Sequence, residues 1–230
     1  MLRRALLLMA FVATPLALHA QVTSTRITKA ADEPQNWLTY GGTYSGQRYS
    51  QLKQIDATNV KNLELRWVFQ ARSLQSFSAT PVVVDGIMYV TQAPNDVFAI
   101  DAVSGRVFWQ YHHEANPGRL CCRGQVNRGV AILDHTLYMA TVDSFLIALD
   151  ATNGAVVWKT KVAEAKDAYG MTLAPIVVDK NKVVVGVAGA EFGIRGFISA
   201  YDATTGKELW KFYTIPAKGE PGNETWGGDS

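Results

Sequence analysis

The stretch that decides the fold is AIDAVSG at residues 99–105, which Trp109 follows four residues after the glycine. It recurs as ALDATNG at residues 148–154 and as AYDATTG at residues 200–206, each time with a tryptophan at the same distance. The aspartates of the three copies are 49 and 52 residues apart, which is the period of a β-propeller blade and too long for most helical repeats. The repeat therefore predicts an all-β propeller in which each copy closes one blade.

Two short runs rich in Val, Ile, Tyr and Phe precede each copy, so each unit is predicted to have four strands. The paired runs are residues 81–84 and 87–91, 130–133 and 136–141, and 175–178 and 183–187. Turn residues such as Asp85-Gly86 separate the runs of a pair. The expected architecture is a propeller of four-stranded blades, about three of which are present.

The repeated residues are expected to be architectural. The glycine suits a left-handed turn position, the aspartate can accept bonds from the turn backbone, and the tryptophan is expected to pack between neighbouring sheets. Asp101, Asp150 and Asp202 occur once per blade, which favours a structural role over a catalytic or metal-binding one.

Residues 1–20 have the pattern of a signal peptide for export. Arg3 and Arg4 form a positive start, an apolar run follows, and Ala20 offers a cleavage site. The alternative is a membrane span, but Pro15 interrupts the run well short of the roughly 20 apolar residues a span needs. We expect a mature chain with no membrane span and a periplasmic location.

Composition excludes several classes of function. Removing Arg3 and Arg4 leaves 20 basic and 20 acidic residues, which gives no electrostatic footprint for nucleic acid. With 48% hydrophobic and 10% aromatic residues, the chain has the apolar material for a packed core and is not of the disordered class.

The repeats resemble the tryptophan-docking blades of the PQQ-dependent (quinoprotein) alcohol dehydrogenases of the methanol and ethanol dehydrogenase type. That resemblance implies an eight-bladed ring, of which this chain would be an N-terminal fragment. Residues 21–74 would form an N-terminal segment whose strand at 65–69 completes the last blade. Residues 75–230 would form the first three blades and a truncated connection.

Cys121 and Cys122 are adjacent and are the only cysteines. Neighbouring Cα atoms lie about 3.8 Å apart, below the usual range for a disulfide, so spacing alone favours two free or buried thiols over a strained ring. The resemblance favours the ring, because the family has a vicinal disulfide followed closely by the VNRG sequence found here at residues 126–129. It implies that the ring lies against one face of PQQ and that Arg128 pairs with a carboxylate of the cofactor.

A second match to the family lies in the third repeat, where TLAP at residues 172–175 precedes one strand and GAE at residues 189–191 follows the next. The resemblance implies that the Thr172 hydroxyl and the backbone amides of Gly189 and Ala190 bind the cofactor. It also implies that Glu191 ligates calcium, or another hard cation at the same site. Without the resemblance, Glu191 has the pattern of an ordinary loop carboxylate.

Two positions depart from the family pattern. Ser78 stands where the family usually has glutamate, and Ala188 stands where serine is frequent. Both changes remove contacts to the cofactor, so a cofactor-free relative of the dehydrogenases is an alternative.

The function implied for the full-length protein is oxidation of an alcohol by hydride transfer to a calcium-bound quinone, with a periplasmic cytochrome c or similar protein as electron acceptor. The resemblance places the catalytic residues in later blades, downstream of Ser230, so none is expected among residues 1–230 and the fragment alone is expected to be inactive. The alternative from another class is a non-catalytic periplasmic propeller scaffold of the outer-membrane assembly type. Such a scaffold has no need for Cys121, Cys122 or Arg128.

Overall fold

A computed structural model describes residues 22–116, 121 and 126–227. The described strands form three antiparallel four-stranded sheets, and each sheet follows the order of the chain. Blade 1 contains β1 (Val82–Val84), β2 (Ile87–Gln92), β3 (Asp96–Asp101) and β4 (Val107–His112). Blade 2 contains β5 (Val130–Leu133), β6 (Thr136–Ala140), β7 (Phe145–Asp150) and β8 (Val156–Lys161). Blade 3 contains β9 (Ile176–Val178), β10 (Lys182–Gly186), β11 (Phe197–Asp202) and β12 (Glu208–Tyr213).

The described helices are short. One is α-helical, α1 at Ser24–Thr28. The 3₁₀ turns are Ala30–Asp32, Val60–Asn62, Ala165–Asp167, Ala190–Phe192 and Asn223–Thr225. Within the described ranges, no helix has the length and apolar character needed to cross a membrane.

The predicted four-stranded blades are confirmed, and the observed strand bounds differ from the predicted runs by no more than one residue at either end. Local turn chemistry explains this agreement. Asp85 and Gly86, which join β1 to β2, have φ values of +51° and +81°, as a tight hairpin turn requires.

Tryptophan docking joins each blade to the next. The indole Nε1 of Trp109 donates to the carbonyl of Ala151 at 3.1 Å, and Trp158 repeats this contact with Ala203 at 3.0 Å. The indole ring lies against the turn glycine of the next blade, where a Cβ on Gly154 would be 2.6 Å from Trp109 Cε3. The tryptophan therefore packs between sheets as predicted, and the contact requires a glycine.

The turn that receives the tryptophan is built by its own aspartate. Asp150 Oδ1 accepts from the backbone N of Thr152 at 2.7 Å, and Asp101 and Asp202 make the equivalent bonds. The turn glycines, including Gly154 at φ +77°, are left-handed. The aspartates thus have the architectural role that the repeat predicted.

The N-terminal segment packs on blades 1 and 2 through isolated bridges, from Val22 to Asp134 and from Trp37 to Val83. Within this segment, residues 65–69 form no strand, but Trp67 docks on blade 1 through a bond from Nε1 to the carbonyl of Ala102 at 3.2 Å. The expectation that residues 65–69 complete the last blade stays a prediction. Residues 1–20 lie outside the described residues, so the signal peptide also stays a prediction.

The first strands of the blades run side by side, with β5 in contact with both β1 and β9. Just before these strands, backbone bonds link the blades in series. Thr80 N donates to Arg128 O, and Arg128 N donates to Thr172 O, both at 3.1 Å. This link brings residues from three blades to one rim.

The boundary between blades 1 and 2 also contains a buried charge. Asp143 is 2% exposed, and His113 Nε2 contacts both of its carboxylate oxygens at 3.0 Å. Burial by itself raises the pKa of Asp143, but hydrogen bonds from His113, Thr141 and the backbone of Asn116 outweigh it and lower the pKa to about 2. The carboxylate is therefore ionised in the folded protein at neutral pH.

The docking contact predicts an asymmetry between two alanine substitutions. Gly154 and Gly86 have similar left-handed φ values, +77° and +81°, but nothing lies within 4 Å of a Cβ on Gly86. Gly154→Ala should lower the free energy of unfolding by about 1–3 kcal/mol more than Gly86→Ala, because only the first substitution overpacks against an indole. Chemical denaturation of both variants measures the difference, and equal losses would contradict the docking role of the glycine.

The Asp143 environment predicts a dependence on pH. The folded pKa, about 2, is below the ordinary value of 3.8, so ionised Asp143 stabilises the fold fully above pH 3.8 and progressively less as the pH falls toward 2. The difference in melting temperature between wild type and Asp143→Asn should therefore be constant from pH 7 to 5 and shrink below about pH 4. Thermal melts across this range test it, and a difference that grows on acidification would contradict the assignment.

Candidate functional site

The rim before β5 and β9 brings together Arg128 and Thr172, two of the predicted site residues. The guanidinium Nη1 of Arg128 donates to Thr172 Oγ1 at 2.6 Å and to Thr172 O at 3.1 Å. The next residue, Gly129, has φ +132°, and a Cβ there would lie 2.9 Å from Thr80 O. The glycine therefore permits the close approach of blades that places Arg128.

The Arg128 side chain is exposed, and Thr172 is half-buried. Among the described contacts, the Arg128 side chain donates only through Nη1. A guanidinium is a planar fork with five donors that matches a carboxylate in bidentate geometry. This part of the rim can therefore bind an anion, with the threonine hydroxyl as a neighbouring hydrogen-bonding group.

Cys121 lies in the segment that leads to β5. It is 2% exposed. A Cβ on Gly170 would lie 2.5 Å from Cys121 Sγ, so the sulfur occupies space that any other residue at 170 would need. Cys122 lies outside the described residues, and the prediction that it contributes to the site stays a prediction.

An isolated β-bridge connects Gly170 to Ala188, which directly precedes the predicted site residues Gly189, Ala190 and Glu191. Ala188 N donates to Gly170 O at 2.8 Å, and Gly170 N donates to Ala188 O at 3.1 Å. Gly189 follows with φ +128°, and a side chain there would overlap the carbonyl of Ala168. The bridge therefore places Ala188, the residue before Gly189, next to Gly170, against which Cys121 packs.

Ala190 and Glu191 lie in the 3₁₀ turn Ala190–Phe192, and both are exposed. Calcium takes roughly six to eight oxygen ligands. Among the described residues, no group of three or more His, Cys, Asp or Glu could hold a metal ion. The expectation that Glu191 ligates a cation stays a prediction.

The catalytic residues were expected downstream of Ser230. Ser230 itself lies outside the described residues, which end at residue 227. Nothing in the described part of the chain tests that expectation, so the location of the catalytic groups after Ser230 stays a prediction.

Tyr169 and Arg195 stabilise the loop that carries Glu191. Neither residue was predicted from the sequence to have a role at the site. Tyr169 Oη donates to Arg195 O at 3.1 Å, and Arg195 Nε donates to Ile215 O at 2.7 Å. The Arg195 guanidinium also pairs with Glu220 and lies 3.9 Å from the centre of the Tyr213 ring. The loop is therefore held from both sides.

The two departures from the family pattern lie at different places. Ser78 is exposed in a stretch without regular structure, and Ala188 is half-buried in the bridge to Gly170. The bridge uses only backbone atoms of Ala188, so the absence of a serine hydroxyl leaves it intact.

Known proteins resemble this chain over most of its length. The family model "PQQ: Glucose/ethanol/alcohol dehydrogenase, beta-propeller domain" matches residues 37–230. The quinohemoprotein alcohol dehydrogenase ADH IIB of Pseudomonas putida is 42% identical over 221 residues, which are 95% of this chain and 32% of that protein. This chain therefore spans about a third of the curated relatives it matches.

Two solved structures are similar over the described fold. The quinohemoprotein alcohol dehydrogenase ADHIIG from Pseudomonas putida HK5 has a TM-score of 0.80 and 44% identity, over 86% of this chain and 29% of that one. A europium-containing methanol dehydrogenase has a TM-score of 0.79 and 38% identity, over 86% of this chain and 35% of that one. Because the family model covers both the blades and the rim residues, the chain belongs to the PQQ glucose/ethanol/alcohol dehydrogenase β-propeller family.

Proposed function

We propose that this chain supplies the first blades and half of the cofactor site of a PQQ-dependent alcohol dehydrogenase. The observation that carries the proposal is the bond between Arg128 and Thr172 at one rim, with Cys121 packed against Gly170, two residues before Thr172. Relatives with that activity match almost the whole chain. The substrate class we propose is an alcohol.

The donor set fits the carboxylates of PQQ. Arg128 would pair with one carboxylate through charge-assisted hydrogen bonds, and the Thr172 hydroxyl would donate to the same group or its neighbour. Their present bond, 2.6 Å from Nη1 to Oγ1, already orients both side chains. The backbone amides of Gly189 and Ala190 would add donors, because glycine at 189 lets the backbone approach the cofactor closely.

Cys121 and Cys122 are proposed to form a vicinal disulfide. They are adjacent and are the only two cysteines in the sequence. The ring would give the site a rigid, polarizable wall beside Gly170, whose missing Cβ leaves space for the sulfur. This wall would hold the plane of the quinone and exclude water from one of its faces.

Glu191 is the proposed ligand for calcium or another hard cation. A carboxylate oxygen suits a hard cation, and the exposed 3₁₀ turn leaves Glu191 free of burial. When bound, the quinone with its cation supplies the acceptor for the hydride that leaves the alcohol. The remaining ligands and the base that takes the hydroxyl proton would come from the part of the full-length protein that follows Ser230.

We further propose export to the periplasm and electron transfer to a cytochrome c or similar protein. The support for export is the positive start and apolar run of residues 1–20. The support for an electron acceptor is the chemistry itself, because a reduced quinone must be reoxidised before the next turnover.

A second candidate is a cofactor-free relative of the dehydrogenases. Ser78 and Ala188 favour it, because each replaces a residue through which the family usually contacts the cofactor. Loss of a hydrogen bond to a charged group costs about 1.5–3 kcal/mol, so two losses weaken binding considerably.

Dye-linked alcohol oxidation by the complete gene product separates the two candidates. Supplied with PQQ and calcium, the protein should reduce an artificial dye when an alcohol is added. An absence of PQQ binding in an equilibrium titration would contradict the dehydrogenase and support the cofactor-free relative.

Replacing Arg128 tests the anion site directly. Arg128→Gln should raise the dissociation constant for PQQ about tenfold to a hundredfold, because a charge-assisted bond is lost. Arg106→Gln is the matched control, since Arg106 is exposed and lies against Phe108 on blade 1. Titration of PQQ absorbance measures both variants, and equal affinity in Arg128→Gln and Arg106→Gln would refute the assignment.

Replacing Glu191 tests the cation site. Glu191→Gln should raise the calcium concentration needed for half-saturation at least about tenfold, because a charged ligand becomes neutral. Glu164→Gln is the control, because Glu164 is exposed and pairs only with Lys161 among the described residues. Metal analysis after dialysis against calcium measures retention, and full retention by Glu191→Gln would count against the role.

A further inference from the structure

A set of buried polar side chains lies between blades 1 and 2, beneath the chain segment that carries Cys121. We call it the interblade polar cluster, and its members are Asn95, His113, Asn127, Thr141 and Asp143. Each member is at most 7% exposed. Burial of so many polar groups costs free energy unless they bond to one another or to the backbone. Their contacts therefore show what the cluster holds in place.

Asp143 holds the first end of the segment. Its Oδ2 accepts from the backbone N of Asn116 at 3.1 Å, and both carboxylate oxygens contact His113 Nε2 at 3.0 Å. Thr141 Oγ1 donates to Asp143 Oδ1 at 2.6 Å and fixes the carboxylate on its own turn. One carboxylate thus ties residues 113–116 to the turn between β6 and β7.

The His113 ring lies between the carboxylate of Asp143 and the ammonium group of Lys159. Lys159 Nζ lies 3.5 Å from His113 Nδ1. The His113 ring is thus in contact with Asp143 through Nε2 and with Lys159 through Nδ1. The orientation of the imidazole is therefore set from both sides.

Two asparagines complete the frame. Asn95 Oδ1 accepts from Val142 N at 3.0 Å, while His113 N donates to Asn95 O at 3.2 Å. At the other end of the segment, Asn127 directly precedes Arg128, and its Nδ2 donates to Ala140 O at 3.0 Å. The two described ends of the segment, 113–116 and 126–129, are therefore fixed to blades 1 and 2.

The same turn also lies against the position of Cys121. A Cβ on Gly170 would be 2.5 Å from Cys121 Sγ and 2.8 Å from Val142 O. Met171 N also donates to Thr141 O at 3.3 Å. The turn at residues 141–144 thus contacts both residues 113–116, at the start of the segment, and Gly170, against which the Cys121 sulfur packs.

We infer that Asp143 is a positioning residue that fixes the segment around Cys121 and holds its disulfide against Gly170, at the edge of the cofactor site. This inference rests on the proposed function, to which both the cofactor and the vicinal disulfide belong; a thiol count on the denatured wild type shows whether the disulfide is present, separately from the role of Asp143. Asp143 has no contact with the proposed anion site at Arg128 among the described contacts, so it acts through the segment.

The test compares Asp143→Asn with Asp150→Asn in the complete gene product. Both are the same chemical change in blade 2, but Asp150 accepts from its own turn at Thr152, and Asn can retain that bond. In Asp143→Asn, an amide N–H would face donors from His113 or Asn116, so the end of the segment would detach.

The readout is the rate at which dithiothreitol reduces the Cys121 disulfide, with free thiols counted by Ellman's reagent below the melting temperature of each protein. Asp143→Asn should be reduced at least about tenfold faster than wild type, because a charge-assisted bond that closes the segment is lost. Asp150→Asn should be reduced at the wild-type rate. A wild-type rate in Asp143→Asn, or equal acceleration in both variants, would overturn the inference.

If Asp143→Asn does not accumulate as folded protein, His113→Phe and His113→Gln carry the same test. The first removes the donor to Asp143 and should accelerate reduction, while the second retains an N–H donor and should be slower than the first. Equal rates in these two variants would overturn the inference. PQQ titration of the wild type is separate: absence of binding contradicts the proposed function, and it leaves the reduction result to decide the role of Asp143.

Discussion

The indole N–H of each docking tryptophan donates to a carbonyl of the next blade, and the rest of the structure depends on this contact. Trp109 and Trp158 reach Ala151 and Ala203, and each ring lies against a turn glycine. Tyr89 Oη donates to the same Ala151 carbonyl at 3.2 Å, so two aromatic side chains of blade 1 fix the turn of blade 2. The spacing between blades is therefore set at these turns, far from the rim.

Regular blade spacing has a consequence at the opposite edge of the sheets. It brings β5 beside β1 and β9, and the residues before these strands then bond through Thr80, Arg128 and Thr172. Backbone bonds thus help to place Arg128 and Thr172 at the rim. Glycines at 129, 170 and 189 are needed there because blades, sulfur and carbonyl approach within the space of a Cβ.

The strands and the docking contacts could be predicted from the sequence because their signals are local. Each turn needs its own aspartate and glycine, and each tryptophan follows its glycine at a fixed distance. Arg128, Thr172 and Glu191 were identified through resemblance to a family, since a single arginine, threonine or glutamate has no distinctive pattern. The need for glycine at 170 could not be predicted this way, because it arises from packing against the sulfur of Cys121, 49 residues earlier. His112 and His113 are adjacent, yet the side chain of one is 60% exposed and that of the other is 8% exposed. That difference depends on the partner Asp143, 30 residues later.

A propeller fold and a PQQ site are separate statements about this chain, and they rest on different contacts. The fold rests on a contact repeated at each blade boundary, whereas the site rests on one rim where several unique residues meet. The most direct measurement is a crystal structure of the complete gene product grown with PQQ and calcium. The account predicts a PQQ carboxylate within hydrogen-bond distance of Arg128 and Thr172, with the quinone plane against the Cys121 disulfide. A structure in which PQQ binds elsewhere, or in which Arg128 bonds to Thr172 alone, would contradict it.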